Sequence, residues 1–375
     1  MRISRESIGK CALRCAVIAI LFIFPALLQA QSRIVTVSPV PGDPVASGTA
    51  LRNALAGIPS PSATNPWLLK IEPGIYDVQF NPLQMRSWVS IEGSGIEATT
   101  IRGDVGFNPQ TFAGYFGVVE GANNAELRNL TVENIGGGAH RIAMLNRNAS
   151  PRVYRVRFIT QGDDNKALHG IENLGVGGSS SPILEEIEVR VTGGSLNTGI
   201  SYEGTETSSE IHRSRIVILG GTTRSHGILL HSGRLHRIRD TIIETYFGAS
   251  ASGIYVLSTN PPHDLWLMNT TIISESSTQS NYGIYCNDAI SLNVMGSQIL
   301  VNNQFQAIGV RQLQASGTIV LNSYILAATG TVSSNGNVYI SNSVLAGGPV
   351  TATGVKGCFG VADEAGGFYT GPCPP

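Results

Sequence analysis

The 375-residue sequence is short of charge, aromatic residues and lysine. Charged residues make up 14% of the chain, aromatic residues make up 7%, and the formal net charge is −1. A chain this close to neutrality lacks the strongly basic surface of nucleic-acid-binding proteins, so we expect no nucleic-acid partner. Long runs with helical periodicity are also missing, which argues against a helical solenoid. Glycine, in contrast, contributes 44 residues and indicates a turn-rich architecture.

The N-terminus carries the features of an export signal. Basic residues precede an apolar run from Cys15 to Leu28, and a small residue, Ala30, follows. This apolar run is too short to span a bilayer comfortably, and the order of segments is typical of a secretory signal peptide. We therefore predict cleavage near Ala30 and a periplasmic or secreted mature protein without membrane insertion.

A six-residue pattern recurs nine times between Leu127 and Leu345, with an apolar and mostly aliphatic residue at each end. Its third residue is mostly polar, and we call this the central position. Its copies follow one another at intervals of 20 to 31 residues. The central positions are Asn129, Arg155, Glu186, Arg213, Asp240, Asn269, Gly296, Asn322 and Asn342. Recurrence over such a period is typical of a solenoid.

A second pattern, Gly-Ile followed by alternating residues, lies about half a repeat later. Its copies are Gly170-Ile171, Gly199-Ile200, Gly227-Ile228, Gly253-Ile254 and Gly283-Ile284, with Arg141-Ile142 and Ala307-Ile308 as degenerate ends. Two short strand signals per repeat favour a parallel β-helix over helical or leucine-rich repeats. The fold class predicted is therefore all-β, a right-handed parallel β-helix with a short N-terminal capping helix.

Stacking of such coils places equivalent residues about 4.8 Å apart along the axis. The isoleucines of the second pattern, from Ile142 to Ile308, then form one inward ladder. The asparagines among the central positions form a polar ladder at a bend, because Asn tolerates left-handed backbone angles. Cys286 lies two residues after Ile284 on the inward side, so we interpret it as a small buried hydrophobic residue.

Four segments follow from these patterns: a signal peptide at 1–30, an N-terminal cap with the first coils at 31–124, repeats of about 27 residues at 125–346, and a C-terminal cap at 347–375. Residues 49–58 have apolar side chains at helical spacing, with Ser47 as a candidate N-cap. This helix would cover the open end of the first coil. In the last segment, Cys358 and Cys373 predict a disulfide in an oxidising compartment.

The N-terminal half resembles a known family. Residues 69–76, 89–95, 99–103 and 127–134 are similar to the opening coils of pectin methylesterases and of the wider pectin-lyase-like superfamily. The resemblance covers roughly residues 47–165 and implies the right-handed β-helix fold. These are scaffold motifs, so they specify the fold better than the activity.

The catalytic motifs of that superfamily are not retained. The glutamine-containing methylesterase motif falls on residues 140–144, where His140 replaces the Gln, and the next motif keeps one carboxylate at Asp163. The nucleophilic Asp has no counterpart, and ester cleavage of this type needs both carboxylates. The resemblance to polygalacturonases is limited to Ser225-His226-Gly227, without the pair of carboxylates that hydrolysis requires. Neither activity is expected.

A set of histidines remains as a candidate site. His140, His169 and His226 occupy equivalent positions before the Gly-Ile pattern, and Asp163 and Asp164 lie in the turn before His169. A histidine base with Arg141 or Arg224 neutralising a uronate carboxylate would make a lyase. Alternatively, these histidines cap turns and the Asp-Asp-Asn sequence is an ordinary turn. A ladder on successive coils does not converge, so we expect no metal site and no cofactor.

Charge is spread unevenly along the repeats. Residues 141–239 hold 13 basic and 9 acidic residues, whereas residues 240–375 hold 2 basic and 7 acidic residues. A basic middle favours an anionic polysaccharide as partner, because Arg binds carboxylates through two parallel hydrogen bonds. The alternative is that these arginines lie on solvated edges between glutamates such as Glu185 and Glu210.

Three tyrosines suggest a binding surface. Tyr255 and Tyr285 follow their inward isoleucines by one residue in adjacent coils, and Tyr282 precedes Ile284 by two. Their rings would form a platform on which sugars stack, or simply a cross-strand aromatic pair. Two hypotheses follow: an exported monomer that binds polysaccharide or a surface partner without catalysis, or a polysaccharide lyase or hydrolase with a non-standard site.

Overall fold

The computed structural model describes residues 33–107, 116–136, 138–204, 206–231, 233–257, 263–275, 278–314 and 317–373. The predicted signal peptide and its cleavage site at Ala30 lie outside the described residues. Within the described ranges no helix has the length and apolarity needed to cross a membrane.

The described chain contains one helix, α1 (Pro44–Gly57), and 36 strands, most of which pair with the equivalent strand of the next coil. In chain order the strands are β1 (Arg33–Val37), β2 (Trp67–Ile71), β3 (Gly74–Gln79), β4 (Leu83–Gln84), β5 (Val89–Glu92), β6 (Thr99–Gly103), β7 (Gly106–Phe107), β8 (Val119–Glu120), β9 (Glu126–Asn134), β10 (His140–Arg147), β11 (Arg152–Gln161), β12 (Ala167–Leu174), β13 (Ile183–Glu185), β14 (Glu188–Thr192), β15 (Leu196–Glu203), β16 (Ser209–His212), β17 (Arg215–Leu219), β18 (Arg224–Leu230), β19 (Leu235–Arg239), β20 (Ile242–Tyr246), β21 (Ser250–Val256), β22 (His263–Met268), β23 (Thr271–Glu275), β24 (Ser280–Cys286), β25 (Ile290–Met295), β26 (Gln298–Asn302), β27 (Gln306–Gln312), β28 (Gly317–Leu321), β29 (Tyr324–Ala327), β30 (Gly330–Ser334), β31 (Asn337–Ser341), β32 (Val344–Gly347), β33 (Val350–Ala352), β34 (Lys356–Phe359), β35 (Val361–Asp363) and β36 (Phe368–Tyr369).

The strands form three parallel sheets that run along the stack. Sheet 1 contains β4, β8, β10, β12, β15, β18, β21, β24, β27, β30 and β33, with β7 antiparallel to β10. Sheet 2 contains β1, β2, β5, β9, β11, β13, β16, β19, β22, β25, β28, β31 and β34. Sheet 3 contains β3, β6, β9, β11, β14, β17, β20, β23, β26, β29, β32, β35 and β36, of which β36 is antiparallel to β35. Strands β9 and β11 belong to both because they run through the bend that joins sheets 2 and 3.

The bend between sheets 2 and 3 lies at the centre of the first sequence pattern. All nine central positions have positive φ angles, between 47° at Arg213 and 58° at Gly296. The asparagines occupy this bend as expected, but the bonds between coils run to carboxylates: the Asn269 amide donates to the Asp240 carboxylate of the preceding coil at 3.2 Å. The left-handed position predicted from the sequence is therefore confirmed.

A buried hydroxyl ladder follows the bend and was not predicted. Each hydroxyl residue stands directly after a central position, as Ser297 follows Gly296 and Ser323 follows Asn322. The backbone N–H of Thr270 donates to Ser297 Oγ at 3.1 Å, and that of Ser297 donates to Ser323 Oγ at 3.2 Å. These bonds satisfy polar groups that the bend buries away from water.

The inward ladder of sheet 1 differs from the predicted one at both ends. Strand pairing places Met144, and not Ile142, beside Ile171, and it places Val310, and not Ile308, beside Ile284. Ile142 is paired with His169 instead, and Ile308 with Tyr282. The core requires an apolar side chain and accepts Met and Val as readily as Ile. Aligning the coils by their isoleucines therefore shifts the predicted register by two residues at both ends.

The glycine of the second pattern has a steric cause. A Cβ atom at Gly227 would lie 2.3 Å from Cγ2 of Ile243 on sheet 3 and 2.5 Å from the carbonyl oxygen of Gly253 in the next coil. Gly170, Gly199, Gly253, Gly283 and Gly309 meet equivalent atoms at similar distances. Sheet 1 therefore approaches sheet 3 so closely along this column that no side chain fits.

Helix α1 begins earlier than predicted. Asp43 is its N-cap, with Oδ1 accepting from the Ala46 N–H at 2.9 Å, and Pro44 occupies the first turn. Ser47 lies inside the helix, where its hydroxyl donates to the Asp43 carbonyl at 2.7 Å. Leu51 and Leu55 face the core and cover the first coil.

The stack extends beyond the boundary expected at Gly347. Strands β33, β34 and β35 pair with β30, β31 and β32, and Gly360 has a φ of 63° at the bend position. Cys358 replaces the aliphatic residue before this bend, which obscures the pattern. Its predicted disulfide with Cys373 is present, with Cα atoms 4.9 Å apart, and Cys286 is buried and free as predicted.

The fold class expected from the sequence is confirmed: a nearly all-β parallel solenoid with one helix near the N-terminus. A single apolar core runs through it, enclosed by the three sheets.

Candidate functional site

The outer face of sheet 1 holds most of the candidate residues. On each strand the Ile of the Gly-Ile pattern lies in the core, and the residue after it points outward. The residue before the Gly is outward as well, because the ring of His226 packs on that of Tyr255 at 4.6 Å. Two outward columns result. The first contains Ile142, His169, Thr198, His226, Ser252 and Tyr282, and the second contains Glu120, Leu145, Glu172, Ser201, Leu229, Tyr255, Tyr285 and Arg311.

Four of these rings form an aromatic strip: His226, Tyr255, Tyr285 and Tyr282. Tyr255 and Tyr285 are stacked with centroids 5.0 Å apart and planes 5° apart, and Tyr282 packs on Tyr285 at 4.7 Å. All three tyrosines are half-buried and therefore present part of each ring to solvent. The predicted adjacency of Tyr255 and Tyr285 is confirmed.

An arginine borders each end of the aromatic strip. Arg311 lies over the rings of Tyr282 and Tyr285 at 5.7 and 5.9 Å and donates from Nη1 to the Tyr282 hydroxyl at 3.2 Å. That hydroxyl in turn donates to Gln306 Oε1 at 2.9 Å, which fixes the group. Arg224, at the other end, is exposed on the strand that carries His226. Neither arginine forms an ion pair with a described carboxylate.

A cluster of three carboxyl groups lies toward the N-terminal end of the same face: Glu120, Glu172 and Glu203. Burial raises the pKa of Glu120 to about 7, with a further rise from the charge of Glu172. A hydrogen bond from the Gly117 N–H at 2.7 Å and the charge of Arg147 partly offset this. Burial, and then the charge of Glu172, also raise the pKa of Glu203. Like charges held together in this way favour protonated carboxyl groups.

Two of the candidate histidines, His140 and His169, lie close enough to Glu203 for its charge to act on them, whereas His226 lies nearer Arg224. Burial lowers the pKa of His169 to about 4 and that of His226 to about 3. Burial and the neighbouring His169 lower the pKa of His140, against the opposing charge of Glu203. The Nδ1 atoms of His169 and His226 are buried without a hydrogen-bond partner among the described groups. Both imidazoles are therefore neutral near pH 7.

The register corrects one predicted equivalence. His140 pairs with Ala167, two residues before the column that contains His169 and His226. It is still close enough for the charges of His140, His169 and Glu203 to act on one another. The histidines thus share a face, but not one column.

Asp163 and Asp164 are exposed in the turn before β12. The Oδ1 of Asp163 accepts from the Asn165 N–H at 3.4 Å, and its carbonyl accepts from the Lys166 N–H at 3.2 Å, as in an ordinary turn. Glu203, rather than either aspartate, is the acidic group whose charge acts on His169. The structure therefore does not bring the aspartates into the histidine group.

Arg141 is directed to the edge of the coil. Its Nη1 donates to the Gln161 carbonyl at 2.6 Å, at the end of β11, and its neighbours on the strand pairing are Leu168 and Gly106. Of the two predicted carboxylate-binding arginines, only Arg224 lies beside the aromatic strip.

Seven of the twelve arginines of the basic middle form ion pairs with glutamates. Their ion pairs lie on sheets 2 and 3. The pairs include Arg152 with Glu126 and Glu185, Arg157 with Glu97 and Glu188, Arg213 with Glu185 and Glu186, Arg215 with Glu244, Arg234 with Glu206, and Arg237 with Glu210. The second interpretation of the charge pattern is therefore the correct one for these residues.

The carboxyl cluster was not found from the sequence. Each of its members occurs in one coil only, so no periodic signal marks Glu120, Glu172 or Glu203. The available signal was local: Glu172 follows the Gly170-Ile171 pair directly, at the outward position where other coils carry Ser, Leu or Tyr. No group of three or more His, Cys, Asp or Glu in the described chain has the arrangement of a metal site.

No protein-family model and no curated protein matches the sequence. Among solved structures, ORF18 of Geobacillus virus E2 is similar with 12% identity and a TM-score of 0.45, and the match covers 97% of this chain and 65% of the viral one. The chain thus spans less than two thirds of that protein. The mannuronan C-5 epimerase AlgE6 A-module of Azotobacter vinelandii is 14% identical, with a TM-score of 0.42 and coverage of 86% and 97%. DFA-IIIase from Arthrobacter chlorophenolicus A6 is 12% identical, with a TM-score of 0.41 and coverage of 90% and 93%.

Similarities this low concern the fold alone. The three sheets, the left-handed bend and the coil-to-coil register carry the assignment. The chain has a parallel β-helix fold.

Proposed function

We propose that the protein binds an acidic polysaccharide along the outer face of sheet 1. The observation that carries this proposal is the stacked pair Tyr255–Tyr285, bordered by two arginines without carboxylate partners among the described residues. Sugar rings present C–H faces that pack on aromatic rings, and uronate carboxylates accept hydrogen bonds from guanidinium groups.

Arg311 is unusual for its position in the chain. It is the only basic residue between 240 and 355, a stretch that contains five acidic residues, yet it packs on tyrosines rather than on any of these. The tyrosines hold the guanidinium in place, so less side-chain entropy is lost when a carboxylate binds. Many arginines of sheets 2 and 3 already have glutamate partners. Arg224 and Arg311, beside the aromatic strip, have no such partner among the described residues and are available to an anionic ligand on this face.

The face is long enough for an extended chain. From Glu120 on β8 to Arg311 on β27 there are seven steps between adjacent strands, or about 34 Å at the usual strand spacing. The repeating spacing of outward residues suits a polymer that lies along the stack. Fixed polar groups at successive coils would then meet successive sugar units.

The test is binding to polygalacturonate and alginate, compared with neutral glucans, by calorimetry at low and high salt. Arg311→Gln should weaken binding of the acidic chains about tenfold, equivalent to about 1.4 kcal/mol. Arg237→Gln is the matched control, because Arg237 pairs with Glu210 on sheet 2. Equal affinity for neutral and acidic chains, or no binding to any of them, would rule the proposal out.

A second candidate function is cleavage of the bound polysaccharide. It is favoured by the carboxyl cluster and by the neutral His169, since a raised carboxyl pKa and a neutral imidazole are properties of general acids and bases. In hydrolysis, protonated Glu203 would give its proton to the departing glycosidic oxygen, while a second group takes a proton from the attacking water. In elimination, His169 or His226 would remove the proton next to the uronate carboxylate while the bond from the adjacent carbon to the glycosidic oxygen breaks. That oxygen would take a proton from Glu203 or from water.

Reducing ends report hydrolysis, and ultraviolet absorbance of unsaturated products reports elimination. Glu203→Gln and His169→Gln should abolish either activity while leaving polysaccharide affinity within about twofold, because neither residue belongs to the aromatic strip. Asp163→Asn serves as the control in the exposed turn. Unchanged turnover in Glu203→Gln would exclude Glu203 as the acid, and absence of both products would leave binding as the sole function.

A further inference from the structure

A cavity of about 520 Å³ lies between helix α1 and strand β4, at the N-terminal end of the stack. Its volume is within the range of small-ligand sites. The cavity is separate from the aromatic strip, which begins at β18. The accessible wall includes the apolar residues Ala56 and Pro82 and two arginines, Arg52 and Arg86, whereas Leu55, Leu83 and Met85 lie beneath it in the core.

Both arginines are held rigidly by backbone carbonyl groups. Arg86 Nη1 donates to the carbonyls of Leu55 at 2.9 Å and Ile58 at 2.7 Å, at the C-terminal end of the helix. Arg52 Nη1 donates to the Val78 carbonyl at 2.7 Å, and its Nη2 donates to Thr49 Oγ1 at 3.3 Å. The bonds from Arg86 to described residues all use Nη1, which leaves Nε and Nη2 for another acceptor.

The charge balance of the cavity is positive. None of the described residues that line it is acidic, and neither Arg52 nor Arg86 forms an ion pair with a described carboxylate. The carbonyl groups and the negative end of the helix dipole offset part of the charge of Arg86, but neither guanidinium group is compensated by a carboxylate in the lining. An anion in the cavity would supply that compensation, and a planar carboxylate matches the guanidinium geometry.

We propose that this cavity is a binding site for a small organic carboxylate with a sugar-sized body. The carboxylate would bind Arg52 and Arg86, and the body would cover the apolar wall at Ala56 and Pro82. A bare inorganic anion would leave most of the volume and all of the apolar wall unused. The site does not depend on the polysaccharide proposal, since a single sugar acid is too short to reach sheet 1 at β18.

Galacturonate and galactose form a matched pair of probes, because they differ in the carboxylate. Galacturonate should bind saturably in ligand-observed NMR, and galactose should not. Inorganic phosphate should bind at least tenfold more weakly than galacturonate. A site that prefers phosphate, or that binds both sugars alike, would overturn the proposal.

Substitutions at two exposed positions of helix α1 test whether galacturonate binds in the cavity. Ala56 lines the cavity and its backbone carbonyl accepts from Arg86 at 3.1 Å, whereas Asn53 is exposed outside the lining. Ala56→Glu places a carboxylate beside the guanidinium groups and should reduce galacturonate binding at least tenfold. Asn53→Glu makes the same charge change nearby and should reduce it less than twofold. Equal effects of the two substitutions would overturn the location.

The readouts separate this proposal from the proposed function. Tyr285→Ala should leave galacturonate binding unchanged while it weakens polysaccharide binding. If polysaccharide binding fails and galacturonate still binds in an Ala56-dependent way, only the proposed function is wrong. If galacturonate binding is lost in Tyr285→Ala, the carboxylate binds at the aromatic strip and the cavity proposal is wrong.

Discussion

Tyr255 and Tyr285 stack with their ring planes 5° apart and their centroids 5.0 Å apart, on adjacent strands of sheet 1. The separation follows directly from the coil spacing, because equivalent residues of a parallel ladder lie one strand apart. The relationship makes the aromatic strip a continuous surface rather than a set of isolated rings.

We predict that Tyr285→Ala lowers the free energy of unfolding by about 1 kcal/mol, because the ring loses its partners Tyr255 and Tyr282. Affinity for acidic polysaccharide should fall about tenfold in the same variant. Tyr339→Ala provides the control, since Tyr339 is exposed on sheet 2. Urea denaturation and calorimetry measure the two effects. Equal losses of affinity in the two variants would show that the strip does not bind the ligand.

The buried histidines should make stability depend on acid. The pKa of His169 is about 4 and that of His226 about 3 in the folded state, against 6.5 for an ordinary histidine. Below pH 6.5 the unfolded chain binds more protons than the folded one, so stability falls as the pH drops from 6.5 toward 4. The double substitution His169→Gln with His226→Gln should flatten this slope in urea denaturation. A slope as steep as that of the unaltered protein would contradict the assignment.

Glu120 should produce the opposite dependence. Its pKa is about 7 in the folded state, against 4.5 for an ordinary glutamate. Between pH 4.5 and 7 the folded chain binds more protons than the unfolded chain, so this carboxyl lowers stability as the pH rises. Glu120→Gln should therefore gain stability relative to the unaltered protein at pH 8, but not at pH 4. A constant difference across this range would show that Glu120 titrates normally.

The glycine column predicts a pair of substitutions with different costs. Gly227→Ala would place Cβ within 2.5 Å of a backbone oxygen and closer still to Ile243. Overpacking of this kind costs about 1–3 kcal/mol. Gly317→Ala meets no atom within 4 Å and should be nearly neutral. Thermal and urea denaturation of the two variants provide the comparison, and a neutral Gly227→Ala would mean that the sheets can separate without cost.

Loss of the disulfide should loosen the last coil. A bond that closes a loop of this length stabilises by about 3 kcal/mol. Cys373→Ala leaves Cys358 buried in the core and should accelerate amide hydrogen exchange in β34 and β35. Exchange in the strands of β12 and β15, many coils away, should not change, because each coil contacts only its neighbours. Uniform acceleration along the chain would indicate one cooperative unit instead.

The repeated features of the fold could be predicted from the sequence because each acts on the same position of many coils. The left-handed bend at Asn269 or Asn322 and the Gly-Ile pattern are of this kind. Register errors occurred where a single coil used a different apolar residue, as at Met144 and Val310. The helix start was missed because Asp43-Pro44, an N-cap followed by a favoured first residue, lies outside the apolar pattern.

The candidate site could be predicted only in part. The tyrosines were found because Tyr255 and Tyr285 repeat from coil to coil. The carboxyl cluster was not, because Glu120 and Glu203 come from different columns and distant coils, and only stacking brings their charges together. Whether an arginine forms an ion pair with a glutamate was equally hidden, since the two residues lie about one coil apart in the sequence.

The reversed direction of β36 has a consequence for assembly. A parallel ladder offers evenly spaced donors and acceptors, so an open last coil would accept the first coil of another molecule. Strand β36 runs antiparallel to β35 and replaces that even row with unevenly spaced groups. At the C-terminal end of sheet 3, β36 therefore occupies the edge of β35 that the first coil of another molecule would otherwise use.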